Sequence, residues 1–319
     1  MSVFEGVERV PAGFGPSAVT IGKFDGVHLG HQRILRILLE RAAERSLASV
    51  AVTFDRHPLS VLDPARCPAP LASLAQKTEL LEASGVDATL VLAFDEALRA
   101  LSPREFVERV LVGALDARLV LVGDDFRFGA RGAGDVAALR EIGAEHGLEV
   151  EVVEDVVVGE GEEAVRASST AVRQLLDAGR VEEAAVLLGR MPRIRSTVVR
   201  GAQRGRELGY PTANLHPSIE GYLPADGVYA VWVRVDGERY GAEASIGDNP
   251  TFEGVPARQA EVHLFDQQLD LYDRTLEVEF QAFQRPMVRF VSAEALIEQL
   301  RRDDDEIREA LGLPPRRTT

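Results

Sequence analysis

Cysteine is almost absent from this chain of 319 residues, with Cys67 the single example. One thiol closes no internal disulfide and builds no cysteine-based zinc site. It fits a reducing cytoplasm, and a cytoplasmic protein is expected. The opening MSVFEGVERV lacks a basic segment followed by an apolar run, so no secretory signal is expected. No stretch approaches ~20 continuous apolar residues, which argues against a membrane-spanning helix. Positive charge is also scarce: 36 Lys and Arg face 51 Asp and Glu, a net charge of −15. A general nucleic-acid binder needs a basic surface, so that class is set aside. ATP binding is not, because a few basic groups and backbone amides can hold a phosphate inside an acidic protein. Internal repeats and low-complexity tracts are missing as well.

The composition itself suits packed cores, at 45% hydrophobic and 27% charged residues. At about 150 residues per domain, the length suggests two domains. In the first half, short apolar runs alternate with helical patterns. Strands are expected at Ser17 to Ile21, Val50 to Phe54, Thr89 to Phe94, Arg118 to Val122 and Leu148 to Val153. Helices are expected near Gly30 and over Leu71 to Glu82, Pro103 to Val112 and Asp135 to His146. Such alternation predicts a parallel sheet covered on both faces. Ser169 to Leu188 reads as two short helices broken at Ala178-Gly179, and Gly189 to Pro192 as a linker. Beyond it the pattern changes. Val228 to Val235 alternates, Asp236-Gly237 is a hairpin turn, and Arg239 to Ile246 runs back. Glu261 to Phe265 and Thr275 to Phe283 are further strands of an antiparallel, barrel-like domain. A final helix is expected over Ala293 to Arg302, capped by Ser292, with a frayed tail PPRRTT.

The first chemical constellation is TIGKFDGVHLGH, residues 20 to 31. A strand ends, a glycine turn follows and a helix begins, with His28 and His31 at its entrance. The free N–H groups and positive dipole end of a helix start suit phosphate chemistry. Two imidazoles can donate to a phosphate under attack and to a leaving pyrophosphate. Gly22, Gly26 and Gly30 allow close approach of backbone and ligand. Three more segments are predicted at strand ends, where open α/β sheets bind ligands. These are TFDRHP (53 to 58), GDDFRFG (123 to 129) and Ser168-Ser169-Thr170 with Arg173. The last is either an ordinary helix cap or a triphosphate clamp. Asp125 with Arg127 reads equally as a surface ion pair.

In this order and spacing, GKFDGVHLGH, TFDRHP, GDDFRFG and SSTAVRQLLDAG resemble the adenylyltransferase module of prokaryotic FAD synthetases, which are bifunctional riboflavin kinase/FMN adenylyltransferases. The resemblance implies a Rossmann-like nucleotidyltransferase fold in which FMN attacks the α-phosphorus of ATP. It implies that His28 and His31 meet the reacting phosphates. It implies further that Gly22, Phe24, Asp25, Gly30, Asp125, Ser168, Thr170 and Arg173 bind the nucleotide, and that His57 lies on the flavin side. Arg56 departs from the family's usual proline.

The second constellation is GAQRGRELGYPTANL, residues 201 to 215. Gly201, Gly205 and Gly209 make a close-approach loop, Arg204 and Arg206 supply charge, and Pro211 stiffens the turn. Thr212 and Asn214 are hard oxygen donors two residues apart in an extended segment, suited to Mg²⁺ carrying ATP phosphates. Glu261 opens a predicted strand. It is either a solvent-facing residue or a rigidly held general base. His263 shares its face and reads as structural.

GYPTANL, DGVYA, SIGDNPTF, EVHLFD, DLY and QRPMVRF resemble a riboflavin kinase. That resemblance implies a six-stranded antiparallel β-barrel that phosphorylates the ribityl 5′-hydroxyl of riboflavin. It implies Thr212 and Asn214 as Mg-ATP ligands, Gly201, Gly205, Arg206, Gly209 and Pro211 around ATP, and Glu261 as the base. It also implies a flavin-side flap that includes Arg285, Arg289 and Phe290. Arg193, Ser196 and Asp248 depart from the usual family residues. The expected arrangement is therefore α/β: an FMN adenylyltransferase domain over 1–188, then a riboflavin kinase barrel over 189–319. Its substrates are riboflavin, FMN and ATP with Mg²⁺, and it works as a monomer or weak homo-oligomer. A monofunctional nucleotidyltransferase and a non-enzymatic flavin sensor are the competing readings.

Overall fold

The computed structural model describes residues 2–161, 164–200, 210–247, 258–267 and 269–316. By compactness the chain divides into two units, Met1–Ser168 and Ser169–Thr319. The two helices after Ser168 thus group with the barrel.

The first unit contains β1 (Ser2–Glu5), β2 (Ser17–Ile21), β3 (Ala48–Phe54), β4 (Ala88–Leu92), β5 (Ala117–Gly123) and β6 (Glu149–Val153). They form one parallel sheet in the order β1-β4-β3-β2-β5-β6. A small antiparallel pair follows, β7 (Val157–Val158) and β8 (Val165–Arg166). The helices are α1 (Leu29–Arg45), α2 (Leu59–Leu62), α3 (Leu74–Ala83), α4 (Glu96–Ala100), α5 (Pro103–Phe106) and α6 (Val136–Glu145). The chain of α5 continues as a π-helix over Val107–Ala114.

Alternate residues of each strand feed opposite faces of the sheet. Val19, Ile21, Val50 and Val52 pack with Val107, Leu111 and Leu139 on one side. Ala18, Ala51, Leu119 and Leu121 pack with Leu35, Leu38 and Leu81 on the other. Both faces are covered, so the strands read as continuous apolar runs. Helix starts follow local chemistry. Ser73 and Gln76 close a capping box on α3, Ser102 and Glu105 close another on α5, and Asp135 caps α6. The expected helix from Leu71 therefore begins later, after Ser73.

In the second unit, α7 (Ser169–Asp177) and α8 (Val181–Leu188) break at Ala178-Gly179 as expected, with Gly179 at φ 75°. The barrel closes in the order β10-β13-β12-β11-β14-β9. Its strands are β9 (Arg193–Val199), β10 (Ala213–Leu215), β11 (Gly227–Val235), β12 (Glu238–Gly247), β13 (Gln259–Leu264) and β14 (Thr275–Arg285). Asp236 and Gly237 turn β11 into β12 with φ of 51° and 83°, as the hairpin requires.

The final helix, α9 (Ala293–Ala310), runs well past the expected end at Arg302. Its last turns are rich in charge, which hid them. The inward-facing ones are buried and paired: Asp304 holds Arg308 at 2.6 Å, and Arg308 reaches Asp266 at 2.9 Å. Ile307 and Leu311 then cover Val228 and Ala230 on the outside of β11. The expected fraying of the tail is not seen where it is described, since Arg308 donates to the carbonyl of Pro314 and Arg316 to the Tyr210 hydroxyl. Residues 317–319 lie outside the described residues.

Candidate active sites

In the first unit β2 is central: the chain winds from it through β3 to β4 on one side, then crosses back to β5 on its other side. Such a switch point opens a crevice at the carboxyl ends of the strands. The turn that follows β2 lies there. Gly22 passes close under the Phe24 ring, where a Cβ would sit 3.2 Å from a ring carbon. Phe24 is buried, and its φ is 48°. Val27 also lies in the left-handed region, at 39°. Two non-glycine residues in that region cost on the order of 1–3 kcal/mol each, so the surroundings must hold the turn. They do. Asp25 Oδ1 accepts from the Leu71 N–H at 2.8 Å, Gln32 Nε2 donates to the Val27 carbonyl at 2.8 Å, and Thr53 Oγ1 donates to the Lys23 carbonyl at 3.2 Å.

The turn delivers His28 as the N-cap of α1, with His31 in the first turn. Their rings stack at 3.8 Å, and the Phe24 ring lies 5.0 Å from that of His31. A Cβ on Gly30 would meet the His28 ring at 3.1 Å and the Ala167 carbonyl at 3.2 Å. Glycine here lets the helix start, the imidazole and the chain just before Ser168 approach closely. Two imidazoles side by side at the start of a 17-residue helix are an arrangement that can meet a phosphate.

The remaining expected residues are placed as follows. Asp125 is exposed and pairs with Arg166 at 3.1 Å rather than with Arg127, which faces Asp135 at 3.7 Å. The pairing read from proximity in sequence is corrected accordingly. His57 Nδ1 accepts from the Leu59 N–H at 3.1 Å, closing the turn into α2. Arg56 binds Asp55 at 2.7 Å. Burial works against the Asp55 charge, but hydrogen bonds from Arg56 and the Phe94 N–H hold its carboxyl below the usual range. Ser168 ends the first unit. Thr170 is exposed in the first turn of α7, and Arg173 is half-buried on the same helix in the second unit.

Sequence reasoning passed over Lys77. It is only 8% exposed, on the inner face of α3 beside Leu81. Its Nζ donates to the Phe54 carbonyl at 2.6 Å and to the Lys23 carbonyl at 3.4 Å. Burial pushes its ammonium down to about 8, against the pull of Asp25 and Asp55. The available signal was Gln76-Lys77, two polar residues one turn before a buried leucine.

In the second unit, β10 and β13 pair so that Asn214 lies directly opposite Glu261. Thr212, just before β10, donates from Oγ1 to Glu261 Oε2 at 3.1 Å. The three expected residues are therefore one cluster, and cross-strand pairing sets their spacing. Next to them, the Pro211 carbonyl lies 2.8 Å from His263 Nδ1, and the Tyr210 and His263 rings are 5.3 Å apart. Burial lowers the His263 pKa, in line with a structural imidazole. Gly201, Arg204, Gly205, Arg206, Gly209 and Asp248 lie outside the described residues. Ser196 is buried inside the barrel, and its hydroxyl donates to the His216 carbonyl at 2.8 Å.

The expected flap leaves the end of β14. Met287 Sδ lies 3.4 Å from the Ser245 hydroxyl on β12, beside Glu261 in the register. Arg285 sits 6.0 Å from the centre of the Phe290 ring, and Arg289 is exposed. The pattern gave no hint of what anchors Arg285. It makes three contacts with Asp303 of α9, the shortest 2.6 Å, and Gln299 adds a fourth hydrogen bond to that carboxylate at 2.9 Å. Glu243 of β12 is buried beside them. Burial and then Asp303 push its pKa up to about 8.

Comparison with known proteins adds the following. The family model described as FAD synthetase matches residues 12–171, and the one described as riboflavin kinase matches residues 188–311. A bifunctional riboflavin kinase/FMN adenylyltransferase from Pseudomonas fluorescens is 41% identical over 296 residues, which span 93% of each chain. Its counterpart from Escherichia coli K12 is 39% identical over 92% of this chain and 93% of that one. A solved structure described as a macrolide-efflux protein from Streptococcus pneumoniae is 33% identical. It has a TM-score of 0.86 and covers 97% of this chain and 99% of that one. That description stands apart from the other matches. No helix among the described residues is long and apolar enough to cross a membrane.

Proposed function

We propose a division of labour that starts from one premise: the chain belongs to the family of bifunctional riboflavin kinase/FMN adenylyltransferases. It is an enzyme of flavin cofactor synthesis with both activities. FMN adenylylation belongs to a module over residues 1–188, and riboflavin phosphorylation to a module over 189–319.

In the first module, a phosphate oxygen of FMN attacks the α-phosphorus of ATP. The bond to the β-phosphate breaks, pyrophosphate leaves and FAD forms. His28 and His31 stabilise charge on the transferring and leaving phosphates. They act electrostatically, with no covalent intermediate. Gly22, Phe24, Asp25 and Gly30 shape the nucleotide's seat, Asp25 mainly by tying the turn to Leu71. Asp125, Ser168, Thr170 and Arg173 complete the nucleotide contacts, with His57 on the flavin side. The observation that carries this reading is the stacked His28–His31 pair at a helix start, on the carboxyl edge of a parallel sheet.

In the second module, the ribityl 5′-hydroxyl attacks the γ-phosphorus of ATP. Glu261 accepts the hydroxyl proton and ADP leaves. Thr212 and Asn214 hold Mg²⁺ with its ATP. Their hydroxyl and amide oxygens are hard donors of the kind Mg²⁺ takes, and the Thr212 proton directed at Glu261 leaves the oxygen's lone pairs for a cation. The metal supplies charge neutralisation of the phosphates. Gly201, Gly205, Arg206, Gly209 and Pro211 cradle the nucleotide, and Arg285, Arg289 and Phe290 close over the flavin. The same reading has the protein working in the cytoplasm as a monomer or weak homo-oligomer, without nucleic-acid or membrane partners.

Riboflavin incubated with Mg-ATP and followed by chromatography tests this directly. FMN appears first and FAD after it. Riboflavin left unchanged, or FMN that never becomes FAD, contradicts the reading.

A further inference from the structure

We infer that Lys77 is a positioning residue for adenylyl transfer: its ammonium group clamps the ends of β2 and β3 and thereby holds the strained turn that aims His28 and His31. The inference deepens the reading of those imidazoles given above and rests on it.

The chain of contacts is continuous. Lys77 sits on α3 and is almost fully buried. It donates to the Phe54 carbonyl at the end of β3 and to the Lys23 carbonyl just after β2. The Lys23 carbonyl also takes the Thr53 hydroxyl, so two donors converge on one oxygen. The next residue is Phe24, in the left-handed region at φ 48°. Its ring packs against His31, and His31 stacks on His28. A backbone held in such a conformation persists only when its surroundings over-determine it. Lys77 is the one cation among the described residues seen to bridge the two strand ends.

Hydrogen bonds from a charged donor are about twice as strong as neutral ones. The clamp is therefore strongest while the amine is protonated. The charged groups that face it are Asp25 from the turn after β2 and Asp55 from the end of β3, and Asp55 is shared with Arg56. Both carboxylates favour the ammonium, while burial opposes it and brings its pKa to about 8. The ammonium form thus fills below pH 8 and empties above it.

The test is the rate of FAD formation from supplied FMN and Mg-ATP between pH 6.5 and 9.5, with FMN formation by the same molecules as the internal control. In the unmodified enzyme, kcat for FAD formation is expected to fall about tenfold along an alkaline limb near pH 8, while FMN formation shows no such limb. Lys77→Met should lower kcat for FAD formation about ten- to a hundred-fold and abolish the limb. Lys77→Arg should keep more activity than Lys77→Met and lose the limb, because its charge persists through the range. An unmodified enzyme without the limb overturns the inference even if neither variant folds. So does a limb that survives in Lys77→Met, or a Lys77→Met rate equal to the parent. His28→Ala with His31→Ala, assayed alongside, separates the two claims. If that variant still makes FAD, the reading of the imidazoles fails. If it does not while Lys77→Met does, only the role of Lys77 fails.

Discussion

The two sites are built in opposite ways. In the parallel-sheet unit, the proposed chemistry lies on turns beyond the strand ends. Its key side chains are aimed by a backbone that two left-handed, non-glycine residues force out of the ordinary path. In the barrel unit, the proposed chemistry lies on or next to the strands. Asn214 and Glu261 face each other because β10 and β13 pair in that register, and Thr212 joins them by one hydrogen bond. The first site depends on a few strained residues and the groups that restrain them. The second depends on sheet register, which the whole barrel enforces. A turn site fails when its restraints are lost, whereas a register site fails if a strand slips by one residue.

The comparison is broken most severely by removing the imidazoles. His28→Ala with His31→Ala should lower FAD formation about a thousand-fold or more, by analogy with the loss of oxyanion-stabilising donors. FMN formation should stay at the parent rate, and loss of both activities would deny the separation. Glu261→Gln should act in reverse, cutting FMN formation at least about a hundred-fold while FAD still forms from supplied FMN. A near-parental FMN rate would move the role of base to another group.

A smaller effect sharpens how the barrel carries its last helix. Glu243 is pushed from the ordinary 4.5 up to about 8, first by burial, then by Asp303 and Asp304, with Arg285 opposing and His263 across the strand. A carboxyl raised on folding binds its proton more tightly in the native state. Its contribution to stability is therefore fully present below pH 4.5 and lost as pH rises to about 8, then stays level. Denaturant midpoints measured from pH 5 to 8 should fall less steeply in Glu243→Gln than in the parent. Equal slopes would show that Glu243 ionises freely in the fold.

Legibility in the sequence followed the same contrast. Ser17–Ile21 is a buried five-residue run and was bounded correctly by pattern alone, and the neighbouring central strands were found to within a few residues. β1 was invisible because it is four exposed or half-buried residues on the sheet edge. β9 was missed because Arg193 and Arg195 break its surface pattern. Their charges are satisfied by Glu277 and Glu220, both distant in sequence, while Ile194, Ser196 and Val198 point inward. The end of α9 was lost for the same reason. Local patterns cannot report a charge whose partner is supplied by the fold. The motif residues themselves were legible because turns and strand starts draw on a narrow choice of residue types. Lys77 and Asp303 were not, since each acts by holding something else.

Mixing the two variants tests independence most directly. His28→Ala with His31→Ala should make FMN and stop, and Glu261→Gln should be unable to start from riboflavin. Supplied together with riboflavin and Mg-ATP, they should produce FAD at a rate that rises with the concentration of either, through FMN released to solution. No FAD from the mixture, with each variant still showing its single retained activity, would contradict two independent chemistries in one chain.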